Sequence, residues 1–131
     1  MKPVTPARLC LGTSGLGAST DAEVDRLLGA FADRGGHFLE LGVGAPEERV
    51  GRALVGKRTS FVLGARFTDA ATLDQSLQRL GVDSVEVLWV HGWRGGPQVD
   101  QLAETLTGVL RAGKARSVGV ADAPAWAVMQ L

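Results

Sequence analysis

The feature that most constrains this chain is an alternation. Short apolar runs bounded by glycine or polar residues take turns with longer stretches whose apolar residues recur at helical spacing. Arg8-Leu9-Cys10-Leu11-Gly12 is the first run and reads as a buried strand, with Cys10 expected to be a buried small hydrophobe. Thr20-Asp21-Ala22-Glu23 then carries the pattern of an N-terminal capping box, followed by Val24, Leu27, Leu28 and Phe31 on one helical face. Gly35-Gly36 stops that helix, because glycine takes the positive φ of a C-terminal cap without strain. His37 to Leu41 is the second strand, with His37 at its boundary. Pro46-Glu47-Glu48 opens the second helix, proline being tolerated in the first turn and carboxylates favoured near the positive end of the dipole. Phe61 to Phe67 and Val85 to His91 are the third and fourth strands, separated by a helix whose inner face carries Leu73, Leu77 and Leu80. Leu102, Leu106, Val109 and Leu110 line a fourth helix that ends at Gly113. Ser117 to Ala121 is the fifth strand, and Pro124 starts a helix, with Trp126 and Met129 packing in it, expected to run to Leu131.

Strands that are apolar on both faces and alternate with amphipathic helices predict parallel βα units, here about five strands in an α/β fold. The recurrence of about 25 residues is the βα unit itself, so residues 1–131 are expected to form a single domain. Lys+Arg and Asp+Glu balance at 14 each, which argues against a polyanion-binding surface and so against a nucleic-acid partner. No apolar run has the length of a membrane span, and Met1-Lys2-Pro3 does not open a signal-peptide core, so a cytoplasmic location is expected.

Three glycine-rich segments mimic phosphate loops and fail on inspection. Gly51-Arg52-Ala53-Leu54-Val55-Gly56-Lys57-Arg58 places arginine where a metal-binding Ser or Thr belongs, and it lies between a helix and a strand rather than the reverse. Gly12-Thr13-Ser14-Gly15-Leu16-Gly17 has its glycines in the wrong order, and Gly42-Val43-Gly44 lacks a third glycine at the required spacing. Two histidines and one cysteine, without clustered carboxylates, predict no metal site.

Several stretches, in order, are similar to the aldo-keto reductases. Leu9-Cys10-Leu11-Gly12-Thr13 resembles that family's first barrel strand. Glu47-Glu48-Arg49-Val50-Gly51-Arg52-Ala53-Leu54 resembles its "SEE-x-L-G-x-A-L" helix. Leu77-Gln78-Arg79-Leu80-Gly81-Val82-Asp83 with Val87-Leu88-Trp89-Val90-His91 resembles "SLxRLGxDYIDLYxxH", Glu86 standing at an aspartate of that pattern in a supporting role. Arg111-Ala112-Gly113-Lys114-Ala115-Arg116-Ser117-Val118-Gly119-Val120 resembles "xxGKxRxxGVSN". The resemblance implies a parallel half-barrel of about five strands, derived from a (β/α)₈ TIM barrel. A full barrel needs about 250 residues. A chain of 131 residues is therefore expected to lack the later strands that grip the family's nucleotide cofactor.

The resemblance also implies a changed site. The family uses Asp, Tyr, Lys and His at the barrel mouth: the tyrosine protonates the carbonyl while NADPH supplies hydride. Here the aspartate position is Glu40, the lysine position is Arg66, and only His91 matches. The loop Val43-Gly44-Ala45 is shortened, and the sequence contains no tyrosine. The "SN" that holds the nicotinamide amide is Ala121-Asp122. The expectation is a protein without NADPH redox activity and without a cofactor. Its Glu40, Arg66 and His91 would run acid–base chemistry on a small molecule, as a cyclase, dehydratase or isomerase of small-molecule biosynthesis, with Trp89, Trp93 and Asp122 around the substrate. Two alternatives stand beside it: a non-catalytic binding or partner protein in which Glu40 and Arg66 form an ion pair, and a residual NADPH-dependent oxidoreductase. Unpaired sheet edges and an unfilled inner face predict a homodimer, either closing a composite barrel or burying the inner faces against each other.

Overall fold

A computed structural model describes residues 9–131; Arg8 and the Met1-Lys2-Pro3 start lie outside the described residues. The strands are β1 (Cys10–Gly12), β2 (Phe38–Glu40), β3 (Val62–Phe67), β4 (Val85–His91) and β5 (Ala115–Ala121). They form one sheet in the order β1-β2-β3-β4-β5, every pair parallel. Between them run α1 (Asp21–Asp33), α2 (Ala45–Ala53), α3 (Ala70–Leu80) and α4 (Val99–Arg111), and α5 (Ala125–Val128) follows β5. The half-barrel is thus present and open, with β1 and β5 at its edges among the described residues. No described helix is long and apolar enough to cross a membrane.

The sheet's two faces differ in what they carry. Leu39, Leu63, Ala65, Leu88 and Val90 point to the helices and are buried with Val24, Leu28, Val50, Leu73 and Leu80. Alternate residues point to the concave face, which the register lines up as Cys10 beside Phe38, Glu40 beside Gly64, and Arg66 beside Trp89. Period-two alternation therefore sends Glu40, Arg66 and His91 to the concave side.

Helix boundaries follow local chemistry. Thr20 caps α1 with the full reciprocal box to Glu23, and Asp69 caps α3 by accepting the Thr72 N–H at 2.8 Å. The stretch resembling a nucleotide loop is the end of α2: a Cβ at Gly51 would meet the Leu80 carbonyl oxygen at 2.7 Å, so glycine is needed there for α2 to approach α3. Glu86 is structural as expected, accepting from Arg58 at 2.9 Å and from the Leu63 backbone N–H at 2.8 Å.

Three expectations are corrected. Cys10 is exposed, because its alternate position in β1 faces the open concave side rather than the helices. The last helix stops at Val128, one short turn after Pro124, instead of reaching Leu131. Trp126 and Met129 are 61% and 86% exposed, so they do little packing in so short a helix.

Candidate functional site

Three strand ends build the site. Glu40 is the last residue of β2, Arg66 the penultimate residue of β3, and His91 the last of β4. Parallel strands in this register put all three at the C-terminal edge of the sheet, the end at which barrels of this class carry their chemistry. Glu40, Arg66, Trp89 and His91 line one cavity of about 130 Å³, closed on the other side by Ser14 and the Leu41–Val43 turn. The sequence-derived trio therefore comes together in space.

His91 stands between two carboxylates. Its Nε2 lies 4.0 Å from Glu40 Oε1, and its Nδ1 lies 3.3 Å from Asp122 Oδ2. The histidine side chain is 18% exposed, against 51% for Glu40 and 79% for Asp122. Asp122 thus sits behind the imidazole and lines neither of the cavities at the site, unlike Trp89 and Trp93. Its backbone has φ +55°, the left-handed region that aspartate tolerates better than most residues. The Glu40–Arg66 ion pair does not form: Arg66 is exposed and its side chain enters no hydrogen bond or ion pair among the described residues. A guanidinium without a counter-ion is a ready anion site.

Trp89 forms the floor. Its indole covers both Gly64 and Gly119, where an added Cβ would fall 2.5 Å from Nε1 and 2.2 Å from the six-membered ring, respectively. It tilts against Phe38 with ring centroids 6.5 Å apart, and its Nε1 is buried without a partner among the described residues. Trp93 is held by an Nε1 hydrogen bond to the Ala127 carbonyl at 3.0 Å. It lines a second, larger groove of about 580 Å³ on the outer side of the strand ends, which shares Arg66 and His91 with the first cavity.

The turn after β2 is fixed from two sides. Thr13, fully buried, accepts the Gly42 N–H on its hydroxyl at 2.9 Å, and a Cβ on Gly42 would meet the Ser14 backbone at 2.5 Å. Glu47, 1% exposed, accepts the Gly44 N–H at 3.0 Å and the Arg79 Nε at 2.6 Å. Sequence reasoning missed Thr13, Ser14 and this Glu47–Arg79 anchor. Their signal was present only as a small polar residue directly after β1 and a helix-start glutamate. It also missed the groove, whose residues come from three separate segments.

The Cys10 thiol lies beside Glu40. Partial burial pushes its pKa up, and the Glu40 carboxylate adds to the rise. Among the described residues no cluster of three His, Cys, Asp or Glu side chains is placed to hold a metal ion.

The family model described as "Aldo/keto reductase family" matches residues 8–131. The chain belongs to the aldo/keto reductase family. It is 26% identical to an aryl-alcohol dehydrogenase of Pestalotiopsis microspora and 28% identical to a norsolorinic acid reductase of Emericella nidulans. Each match takes in 92% of this chain and 40% of the relative. The first runs over 155 aligned positions, more than this chain's whole length, so that relative carries segments this chain omits. Among solved structures, an aldo-keto reductase from Klebsiella pneumoniae in complex with NADPH superposes with a TM-score of 0.81 at 26% identity. It covers 92% of this chain and 47% of that one. The chain therefore spans less than half the length of these relatives.

Proposed function

We propose that this aldo/keto reductase family chain moves protons rather than hydride, as a cofactor-independent acid–base enzyme acting on a small carbonyl compound. The observation that carries the reading is the shared cavity: Glu40, Arg66 and His91 line one small space with Trp89 as its apolar floor. In this scheme His91 takes a proton from the carbon next to a carbonyl, Arg66 holds the enolate oxygen, and His91 or Glu40 returns the proton at a new position. An isomerisation needs no more than that; in a dehydration the returned proton goes to the departing hydroxyl, which leaves as water.

The residues that do the family's redox work by resemblance fit the nicotinamide cofactor poorly here. No tyrosine follows β2, and arginine in the lysine position is a fixed cation that cannot share a proton. At the amide-binding position the Asp122 side chain offers only carboxylate acceptors, one of which faces His91. A second copy of the chain covering the open edges of β1 and β5 accompanies this reading. Light scattering that gives a monomer at micromolar concentration would reject that dimer.

The test uses a ketone with an aromatic substituent, since one relative is named an aryl-alcohol dehydrogenase. Phenylacetone incubated with the protein in D₂O should exchange its α-protons, followed by NMR, and His91→Ala should slow that exchange by about 100-fold or more. Saturable NADPH binding with reduction of an aryl aldehyde would overturn the reading and make the chain a reductase. Absence of exchange together with tight ligand binding would make it a binding protein.

A further inference from the structure

The larger groove has no part in the proton transfer, yet it shares two residues with the site. Its floor is apolar: Phe67 and Val90 are buried, and Leu102 and Trp93 are partly buried against the core. Its rim is polar and uncharged on the α4 side, where Gln98, Gln101 and Thr105 stand. Thr105 satisfies its own hydroxyl by donating to the Gln101 carbonyl at 2.8 Å. The Trp93 Nε1 is likewise engaged, so neither residue has a hydrogen bond left wanting in the groove. One rim carboxylate is present, Asp69, and both its oxygens are taken by Thr72 at 2.8 Å. That leaves Arg66 as the group in this groove with charge to offer and no partner among the described residues.

We propose that the groove is a binding site for a monocarboxylate carried on an aromatic or branched apolar skeleton, with the carboxylate on Arg66 and the skeleton over Phe67, Leu102 and Trp93. This goes beyond the proton-transfer reading: the two sites meet at Arg66 and His91, so a carboxylate on Arg66 and an enolate oxygen on it exclude each other. A volume of about 580 Å³ lies within the range of small-molecule sites. The planar guanidinium fork matches a carboxylate in bidentate geometry. A phosphate is disfavoured: one arginine that shares its two cavities with the carboxylates of Glu40 and Asp69 suits a single negative charge and not two.

Isothermal titration of the intact protein with 2-naphthoate, its neutral isostere 2-naphthamide and inorganic phosphate tests this. Naphthoate should bind at least about tenfold more tightly than naphthamide, and phosphate should not displace it at equal concentration. Arg66→Gln should remove the preference for the acid. Thr105→Trp, at an exposed position on the rim, should weaken both naphthalenes by about tenfold or more with an unchanged melting temperature. Gln101→Trp serves the same purpose if the first variant does not fold. Equal affinity for acid and amide, or naphthoate binding unaltered by a rim tryptophan, overturns the proposal. Proton exchange of phenylacetone by the wild type is read separately from naphthoate binding. Anion-selective binding without exchange in the wild type would therefore sink the catalytic reading alone, and exchange without anion selectivity would sink the groove alone.

Discussion

His91 Nδ1 lies 3.3 Å from Asp122 Oδ2, at a backbone position where the aspartate holds φ at +55°. The carboxylate can only accept, so the contact favours the tautomer with its proton on Nδ1. Nε2 is then turned toward Glu40, 4.0 Å away, and the small cavity. In the proposed proton transfer Asp122 is therefore a positioning residue. It reaches the chemistry through the imidazole.

Asp122→Asn keeps a side chain that tolerates the left-handed backbone but replaces one acceptor by a donor. Nitrogen-15 NMR of labelled histidine should show the neutral His91 largely protonated on Nδ1 in the wild type and mixed in the variant. Proton exchange should fall with it by roughly tenfold, a modest factor because Asp122 is 79% exposed. An unchanged tautomer ratio would remove Asp122 from the site.

The buried anchor behind the β2–α2 turn is a stability element. Glu47 is 1% exposed and Arg79 23% exposed, with the Gly44 N–H completing the carboxylate's partners. Removing one partner of such a pair leaves a buried charge, so Arg79→Met should cost about 3 kcal/mol in chemical denaturation. Glu47→Gln should cost less, since the amide oxygen can still accept from Gly44. Equal small losses for both would show that the pair is effectively solvated.

Trp89 and the two glycines form one packing unit. Gly119→Ala forces a methyl into the indole and should destabilise the protein by about 1–3 kcal/mol. Combining it with Trp89→Leu should give much less than the sum of the two single losses, because the clash disappears with the ring. Strict additivity in that double-mutant cycle would contradict the contact.

How much of this was legible in the sequence depends on whether the signal was local. The capping box at Thr20, the strand from Val85 to His91 and the gathering of Glu40, Arg66 and His91 at one sheet end follow from short-range patterns plus the parallel βα rule. Which face of β1 Cys10 takes was not legible, because an apolar run of this length carries no alternation to read. The missing Glu40–Arg66 pair and the Asp122–His91 contact depend on side-chain direction across strands far apart in sequence. Spacing along the chain says nothing of that. The groove beside Trp93 is assembled from the ends of β3 and β4 and from α4, so no contiguous motif announces it.

Acid should loosen the contact between α1 and α2. Arg52, and after it Arg49, hydrogen-bond the Asp21 carboxylate and hold its pKa below the usual aspartate range. A lowered folded value means the contribution is complete above the unfolded pKa of about 3.9 and is lost as pH falls through the folded value. Unfolding curves between neutral pH and pH of roughly 3 should therefore be less acid-sensitive for Asp21→Asn than for the wild type, with near-equal stability at neutral pH because the pair is exposed. Parallel acid slopes would show that the ion pairs are screened away.

Cys10 offers a direct report on the charge of Glu40. The two side chains share the concave face, and the thiol's pKa is raised first by burial and then by the nearby carboxylate. The thiolate is the species that alkylates, so iodoacetamide should react with Cys10 more slowly in the folded protein than in urea at the same mildly alkaline pH. Glu40→Gln removes the repulsion and leaves the burial, so it should speed the folded-state reaction without restoring the unfolded rate. If the variant and the wild type react alike, Glu40 carries no charge near the thiol. The proton-transfer scheme then loses its second carboxylate, and His91 would have to work with Asp122 alone.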